Sequence, residues 1–556
     1  MSLNYVPRLN IFRVPGNGRY GWFVLMAFVV FLCFLPAVLN GFVHWDDNLF
    51  VYENPNIKIW TPEFWQWVIH PFQGNWTPLA LLSHGIDYAL YGFNPAGHHL
   101  TSILFHTCNT FLVALVFMKL ILAAGSRQPL VGEKDLKFAV IAASCGALFF
   151  GISPLRVESV VWISERRDVM FLFFGLLSIY SYLLYCSPRQ PNQLLLHKKH
   201  YYRRSLFYFA CGLMSKSMLV TLPVVLLIFD FYPIQRFSLT SPFRDKWLLI
   251  KEKIPFFLLS AIVSLVTLFF QKKTGAMFSV EDIPLIARIG SASYVAIFYL
   301  SKSLLPMDLA PLYTIENMQS ALPVHHLAAF GIVILLTGVL IYLAKFSKIY
   351  LIIWIYYLLT ILPISGLFQT GHQFAADRYT YFPGLALAFL GGIVCARIGI
   401  SSCRQAGYAR LSRNVFIALM ACYILVNIVL LQQQIRIWHN SIALWSRQIH
   451  LYPEGASNTP YINRGGAYFD AGKYLPAIYD FTRAAEIDPS DSNAFANRGL
   501  AYLKNKEYKK AVKDLVVAAR LGNEGARKFL LKNKIWWRNG AGPTESGPPH
   551  SDRTGQ

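Results

Sequence analysis

Charge is scarce in this chain. Asp, Glu, Lys and Arg make up 14% of its 556 residues, against about 25% in a soluble globule. Acids are scarcer still, with 29 against 51 bases. There is no phosphate-binding glycine loop, no G-x-S-x-G motif and no metalloprotease H-E-x-x-H, so the commonest nucleotide, serine-hydrolase and zinc-protease chemistries have no carrier. Of the eight cysteines, none forms a C-x-x-C pair, and neither a zinc site nor a disulfide framework is expected. No small-residue cleavage site follows the first apolar run, which Arg8, Arg13 and Arg19 precede; it reads as a retained anchor.

Apolar sequence is abundant instead, at 55%. It falls into runs of about 17–25 residues, the length that crosses a bilayer. The fold class is therefore all-α: a polytopic membrane domain over 20–432, after a cytoplasmic segment 1–19, with a soluble appendage. The net charge of +22 does not call for nucleic acid. Much of the excess sits in short loops, around Arg189–Arg204, at 233–253 and at Arg397–Arg413, where it marks the inner side. The first long loop, 42–97, then lies outside. The run 285–305, with Arg288 and Lys302, reads as interfacial or re-entrant. That gives eleven crossings, with ten and twelve as the alternatives.

The tail repeats with a period of 34. Tyr461, Gly465, Tyr468, Ala477, Phe481 and Ala484 recur as Phe495, Gly499, Tyr502, Ala511, Leu515 and Ala518. This is the tetratricopeptide pattern. It gives repeats at 458–491 and 492–525, a linker and capping helix at 433–457, a capping helix at 526–538 and a disordered tail at 539–556. Helical repeats offer concave surfaces, so a secreted or envelope protein is the expected partner.

The loop 42–97 is too long for a simple connection and too aromatic for disorder: it holds Trp45, Trp60, Trp65, Trp67 and Trp76. It reads as a folded cap over a membrane-embedded site, with Asp46-Asp47 as its chemical point. An enzyme acting outside must draw an activated group from the membrane, such as a lipid-linked phosphate. A carboxylate then removes the acceptor's proton, and cations hold the departing phosphate. Asp46 and Asp47 suit the first task, one as base and one as positioner; the alternative is that they cap the next helix. Arg156, Glu158, Arg166, Arg167 and Asp168 form a second cluster, or else a solvated turn with internal ion pairs. Lys216, a lone cation between apolar runs, binds phosphate or snorkels. Asp377-Arg378 is a third cluster. His84, His98, His99 and His106 read as structural rather than as metal ligands. No metal site is assigned, although a divalent ion is left open. Asn75-Trp76-Thr77 matches a glycosylation triplet and is read as chance in a packed region.

Several stretches together carry a resemblance. They are Trp45-Asp46-Asp47, Asn75-Trp76-Thr77-Pro78-Leu79, Asn94-Pro95-Ala96-Gly97-His98-His99-Leu100 with His106 and Asn109, Pro154-Leu155-Arg156-Val157-Glu158-Ser159-Val160 with Glu165-Arg166-Arg167-Asp168-Val169, Ser215-Lys216 before Thr221-Leu222-Pro223, and Ala376-Asp377-Arg378-Tyr379-Thr380-Tyr381. In order, they resemble the bacterial tetratricopeptide-repeat membrane proteins. Those in turn are similar to the eukaryotic transmembrane and tetratricopeptide-repeat O-mannosyltransferases of the GT-C glycosyltransferase class. The resemblance implies an eleven-span core, a catalytic acid in the first outer loop at Asp46-Asp47, and a polyprenyl- or dolichyl-phosphate sugar donor with inverting transfer. It also implies a protein Ser/Thr acceptor on the outer face of a bacterial inner membrane. Two positions depart from the pattern: Ser153 and Thr77 stand where relatives carry histidine, or for Thr77 histidine or arginine. The other readings are a non-catalytic scaffold for envelope assembly and a lipid or polysaccharide transporter.

Overall fold

The computed structural model describes residues 18–72, 74–125, 133–187, 194–274, 284–314, 323–367, 373–401, 408–453 and 457–535. The expected tail at 539–556 and nearly all of the segment 1–19 lie outside them. The chain divides into two compact units, Met1–Leu444 and Trp445–Gln556.

The first unit is a helical membrane core. Helix α1 (Gly18–Phe34) runs on through a short 3-10 turn to Leu39. The loop after it carries α2 (Pro62–Ile69) and α3 (Pro78–Tyr91). Thr61 starts α2 by accepting from the Phe64 N–H at 3.3 Å, with Pro62 at the first helical position, where its missing N–H costs nothing. Phe50, Val51, Ile57, Phe64, Trp67, Val68 and Leu81 bury one another together with Ile163, so the loop has a core of its own that reaches into the bundle.

Helix α4 (Pro95–Gly125) runs through the centre and is buried over most of its length. Next comes α5 (Glu133–Gly151), then a 58° bend at Ser153-Pro154 and the short α6 (Val157–Val161). Pro154 permits no continuation of the α5 hydrogen-bond ladder. A turn then leads into α7 (Arg166–Cys186) and α8 (Leu194–Ser215). Beyond lie α9 (Leu222–Phe231), α10 (Phe243–Lys273), α11 (Leu285–Leu304), α12 (Val324–Leu343), α13 (Lys348–Ile361), α14 (Gly384–Ser401), α15 (Tyr408–Ile437) and α16 (Ser441–Leu451). Strands β1 (Tyr313–Thr314) and β2 (Gln373–Ala375) pair antiparallel and fix the approach to Asp377.

Among the described residues six helices are long and apolar enough to cross a membrane, or seven if the bent pair α5–α6 is one span; Ser217–Phe231, Lys348–Ile364 and Gly384–Gly399 are shorter apolar helices. Neither α8 nor α11 is in this set. Both carry charge, and α11 uses its buried Arg288 to donate to the Leu367 carbonyl at 3.2 Å.

The second unit is a stack of antiparallel helix pairs: α17 (Thr459–Asp470) with α18 (Tyr474–Ile487), then α19 (Ser492–Lys504) with α20 (Tyr508–Arg520), closed by α21 (Glu524–Lys532). A Cβ on Gly465 would meet the Phe481 ring at 2.7 Å, and one on Gly499 would meet the Leu515 side chain at 2.9 Å. The 34-residue repeat thus sets the same small-against-large contact twice. It also repeats one ion pair: Arg464 grips Asp480 through two hydrogen bonds of 2.8 Å, and Arg498 grips Asp514 through bonds of 2.6 and 2.9 Å.

Candidate functional site

Asp46 and Asp47 stand at the mouth of a wide, π-helical turn, Asn48–Tyr52, and their side chains part. Asp47 is buried. It accepts from the Val43 N–H at 3.0 Å, from the Ser164 N–H at 3.0 Å and from the Ser164 hydroxyl at 2.5 Å. The helix-cap reading fails for it, because those bonds tie the loop backwards and across to the α6–α7 turn. Burial pushes its carboxyl up to about 6, while the three hydrogen bonds pull the other way. Asp46 is half-buried and faces a charged cluster. Burial raises its carboxyl above the usual range; Arg167 and Arg378 lower it, and Glu165 raises it.

Glu165 is the hub of that cluster. Its carboxylate holds Arg167, with Nε at 2.9 Å, Lys216 at 3.2 Å and the Arg378 Nε at 3.3 Å. Glu158 pairs with the Arg378 guanidinium and accepts from its backbone N–H at 2.8 Å. Asp168 pairs with Lys216 and accepts from the Ser159 hydroxyl at 3.0 Å. Lys216 is therefore not the lone cation its sequence context suggests. The solvated-turn reading also fails, since residues 154–166 are buried throughout.

An aromatic floor supports this arrangement. Trp45 stacks on Trp162 at 4.3 Å, and Trp162 meets Trp438 at 5.7 Å. The Arg378 guanidinium lies over Trp162 at 5.3 Å, Tyr379 at 4.9 Å and Trp45 at 6.0 Å. Such cation–π contacts are worth about 0.5–2 kcal/mol each, and they pin Trp45, hence its neighbour Asp46.

Three of the expected residues stand apart. Arg166 points away, as the first residues of a helix diverge in direction. It pairs with Asp87 at 2.6 Å and donates to the His98 carbonyl at 2.7 Å and to the Ser102 hydroxyl at 3.2 Å, locking α3 and α4 to α7. Arg156 is buried between the Phe150 ring at 5.0 Å and the Tyr381 ring at 5.6 Å, and among the described residues its Nε and Nη1 have no hydrogen-bond partner. Asp377 is buried behind the cluster and accepts from the Tyr313 hydroxyl at 2.9 Å; burial holds its carboxyl well above the usual range. The histidines are inside the bundle. His106 bonds the Tyr381 hydroxyl at 2.7 Å and the Gly151 carbonyl at 3.0 Å. Among the described residues no group of three or more His, Cys, Asp or Glu is arranged to hold a metal.

The cluster opens onto a cavity of about 570 Å³, within the usual size of a small-molecule site. Glu165, Arg167, Lys216 and Arg378 form its charged wall. Met218, Val220, Leu268, Leu362 and Ile364 form an apolar strip, and Asn75, Ser264, Thr267, Gln271 and Thr274 a neutral polar wall. Gly74, at φ +73°, lets the first loop close on α10: a Cβ there would stand 3.1 Å from the Thr274 hydroxyl. Sequence reasoning missed this wall. Its signal was the 3–4 spacing of Ser264, Thr267 and Gln271 on one face of an apolar helix, with Thr274 at its end.

A second charged cluster sits at the other end of α7, also unforeseen. Tyr182 donates to Asp230 at 2.7 Å; Arg236 binds Glu252 at 2.7 Å and Asp230 at 3.3 Å. Lys253, wholly buried, pairs with Asp230 and lies 2.8 Å from Glu252.

Comparison with known proteins agrees with the tail. A TPR repeat model matches residues 465–506. The protein O-mannosyl-transferase TMTC4 of Homo sapiens is 28% identical over 39% of this chain and 30% of its own length. The protein O-mannosyl-transferase TMTC3 of Homo sapiens is 22% identical over 84% of this chain and 52% of its own length. The Tmtc1 protein of Drosophila melanogaster is 30% identical over 31% of this chain and 19% of its own length. The chain thus spans about half or less of these relatives. It is an integral membrane protein with tetratricopeptide repeats that resembles the protein O-mannosyl-transferases.

Proposed function

We propose that this chain is a membrane glycosyltransferase of GT-C type. It moves a sugar, mannose by analogy with the relatives' names, from a polyprenyl-phosphate carrier to a protein Ser or Thr hydroxyl. One observation carries the reading: a half-buried carboxylate, Asp46, faces a cluster whose cations Arg167, Lys216 and Arg378 line a cavity with an apolar strip.

The donor's phosphate lies against those cations and its isoprenoid along Val220, Leu268, Leu362 and Ile364. The acceptor hydroxyl approaches the anomeric carbon from the Asp46 side. As its oxygen forms the new bond, its proton passes to the Asp46 carboxylate. The bond from the anomeric carbon to the phosphate oxygen breaks, and the electron pair leaves with the polyprenyl phosphate. The growing charge is met by fixed cations in a site of low dielectric, where they act most strongly. Asp47 touches no substrate in this scheme; it positions Asp46. The Asp46 end of the bundle faces outward, and the repeats recruit the acceptor protein or a partner.

The test is Asp46→Asn in proteoliposomes charged with polyprenyl-phosphate mannose and envelope proteins, with modified peptides read by mass spectrometry. Loss of a general base costs about 10²–10⁴-fold, with thermal stability kept. Full transfer by the variant overturns Asp46 as the base; no transfer by the wild type, or labelling that places Asp46 on the cytoplasmic side, overturns the reading.

A further inference from the structure

The neutral wall of the cavity has no task in the mechanism above. Ser264, Thr267 and Gln271 fall on one face of α10, and Thr274 caps its end on the same side. Over the same stretch another face of the helix is hydrocarbon: Ile254, Leu258, Ile262, Leu265 and Phe269 are all exposed. A polar stripe on a membrane helix is costly unless it meets polar partners. Here it lines the same cavity as the charged wall and Asn75.

We infer that this wall recognises the sugar ring of the donor, with Gln271 as its main specificity-determining residue. The inference rests on the cavity being the donor site. The hydrogen-bond inventory supports it. The Thr267 hydroxyl donates to the Val263 carbonyl at 2.8 Å and the Thr274 hydroxyl to the Gln271 carbonyl at 3.0 Å. Both protons are committed to the helix, which leaves oxygen lone pairs to accept from a ligand. The Gln271 amide both donates and accepts. A surface of neutral acceptors with an amide suits a polyol, which offers many hydroxyls and no charge. It suits neither a phosphate, which the charged wall takes, nor a hydrocarbon chain, which the apolar strip takes. The three sectors thus match the three parts of a lipid-phosphate sugar.

The measurement is binding to the full-length protein in lipid nanodiscs. The probes are polyprenyl phosphate, polyprenyl-phosphate mannose and polyprenyl-phosphate glucose. Wild type binds one of the sugar-bearing lipids at least about tenfold tighter than the bare phosphate. Gln271→Leu and Thr267→Val each reduce that ratio by about three- to tenfold, the loss of one neutral hydrogen bond. Gln271→Asn retains part of it, and the ratio of one sugar to the other changes. Phe269→Ala, on the lipid-facing side of the same helix, leaves the ratio intact. A wild-type ratio near one overturns the inference, as does an unchanged ratio in Gln271→Leu. Asp46→Asn separates the two proposals. If it transfers sugar normally, the assignment of Asp46 as the base falls, and if the wild type transfers none, the transferase reading falls; in either case the wall stands or falls on the binding ratio alone.

Discussion

Helix α7 carries a charged cluster at each end, about 21 Å apart at 1.5 Å per residue from Asp168 to Tyr182. The two use the same materials differently. At the Tyr182 end, Asp230 and Glu252 face Arg236 and Lys253, with the Tyr182, Tyr185 and Tyr202 hydroxyls filling the remaining positions. Charges balance two against two, and no cluster residue lines the cavity. At the Glu165 end, Glu158, Glu165 and Asp168 hold Arg167, Lys216 and Arg378, also a balanced set, but here the three cations line a 570 Å³ space. A closed, balanced network fastens helices together. An open one, with its cations turned to a void, suits the anion that the proposed mechanism brings to it.

The sharpest way to break this contrast is to remove one partner of the closed cluster. Asp230→Ala or Lys253→Met strands a buried charge and costs about 3–5 kcal/mol, read as a fall in the thermal midpoint in detergent. The joint Asp230→Leu and Lys253→Met change restores much of that loss, because a buried pair replaced by apolar groups is often near neutral. Transfer by the folded fraction stays normal throughout. If these variants fold well and lose transfer instead, the two ends of α7 do not differ as described. Next in size is Lys216→Met at the open end. It lowers kcat/KM by about 10²–10³-fold, the usual cost of one charge-stabilising donor, with a smaller drop in thermal midpoint than Lys253→Met gives.

The mildest probe is pH. Asp46 acts only when ionised, and burial raises its carboxyl. Transfer therefore falls on acidification at a pH above the ordinary carboxylate range, and Asp46→Asn abolishes that limb together with the activity. Asp47 gives the matching stability signal. Its folded value of about 6 exceeds an unfolded value near about 4, so the folded state holds its proton more tightly. That contribution is complete below about pH 4 and is lost as pH rises through 6, a decline on the order of 2–3 kcal/mol. The slope of thermal midpoint against pH flattens in Asp47→Asn.

Much of the architecture could be read from residue order. Apolar runs and the 34-residue period show because each is a local regularity, and the all-α core with tetratricopeptide helices follows from them. Asp46, Glu158, Arg167, Asp168, Lys216 and Arg378 come together as one charged cluster, and they could be singled out because charge beside an apolar run is conspicuous. Other features were hidden by the same reasoning. Adjacent residues look alike in a string, yet Asp47 turns to Ser164 while Asp46 turns to the cluster, and Arg166 turns to Asp87 while Arg167 turns to Glu165. Direction is a three-dimensional property that one-dimensional spacing does not carry. The Tyr182 cluster draws on three separate segments, and the Trp45–Trp162–Trp438 stack on residues far apart in the chain; neither leaves a local pattern. The bases at 233–253 read as an orientation signal, yet Arg236 and Lys253 are consumed in ion pairs.

The loop bearing Asp46 is stitched to the last apolar helix. The Gln432 amide donates to the Cys33 carbonyl at 2.6 Å and the Asn40 amide to the Ile435 carbonyl at 3.0 Å. The Gly41 N–H donates to the His439 carbonyl at 2.9 Å and the His44 N–H to the Ser441 hydroxyl at 2.7 Å. Asn40 and Ile435 are 395 residues apart, so a ribosome working at about 5–20 residues per second delivers the second roughly 20–80 s after the first. During biosynthesis the acid is thus in place long before its clasp, and a nascent chain released early is a complete set of parts without an assembled machine.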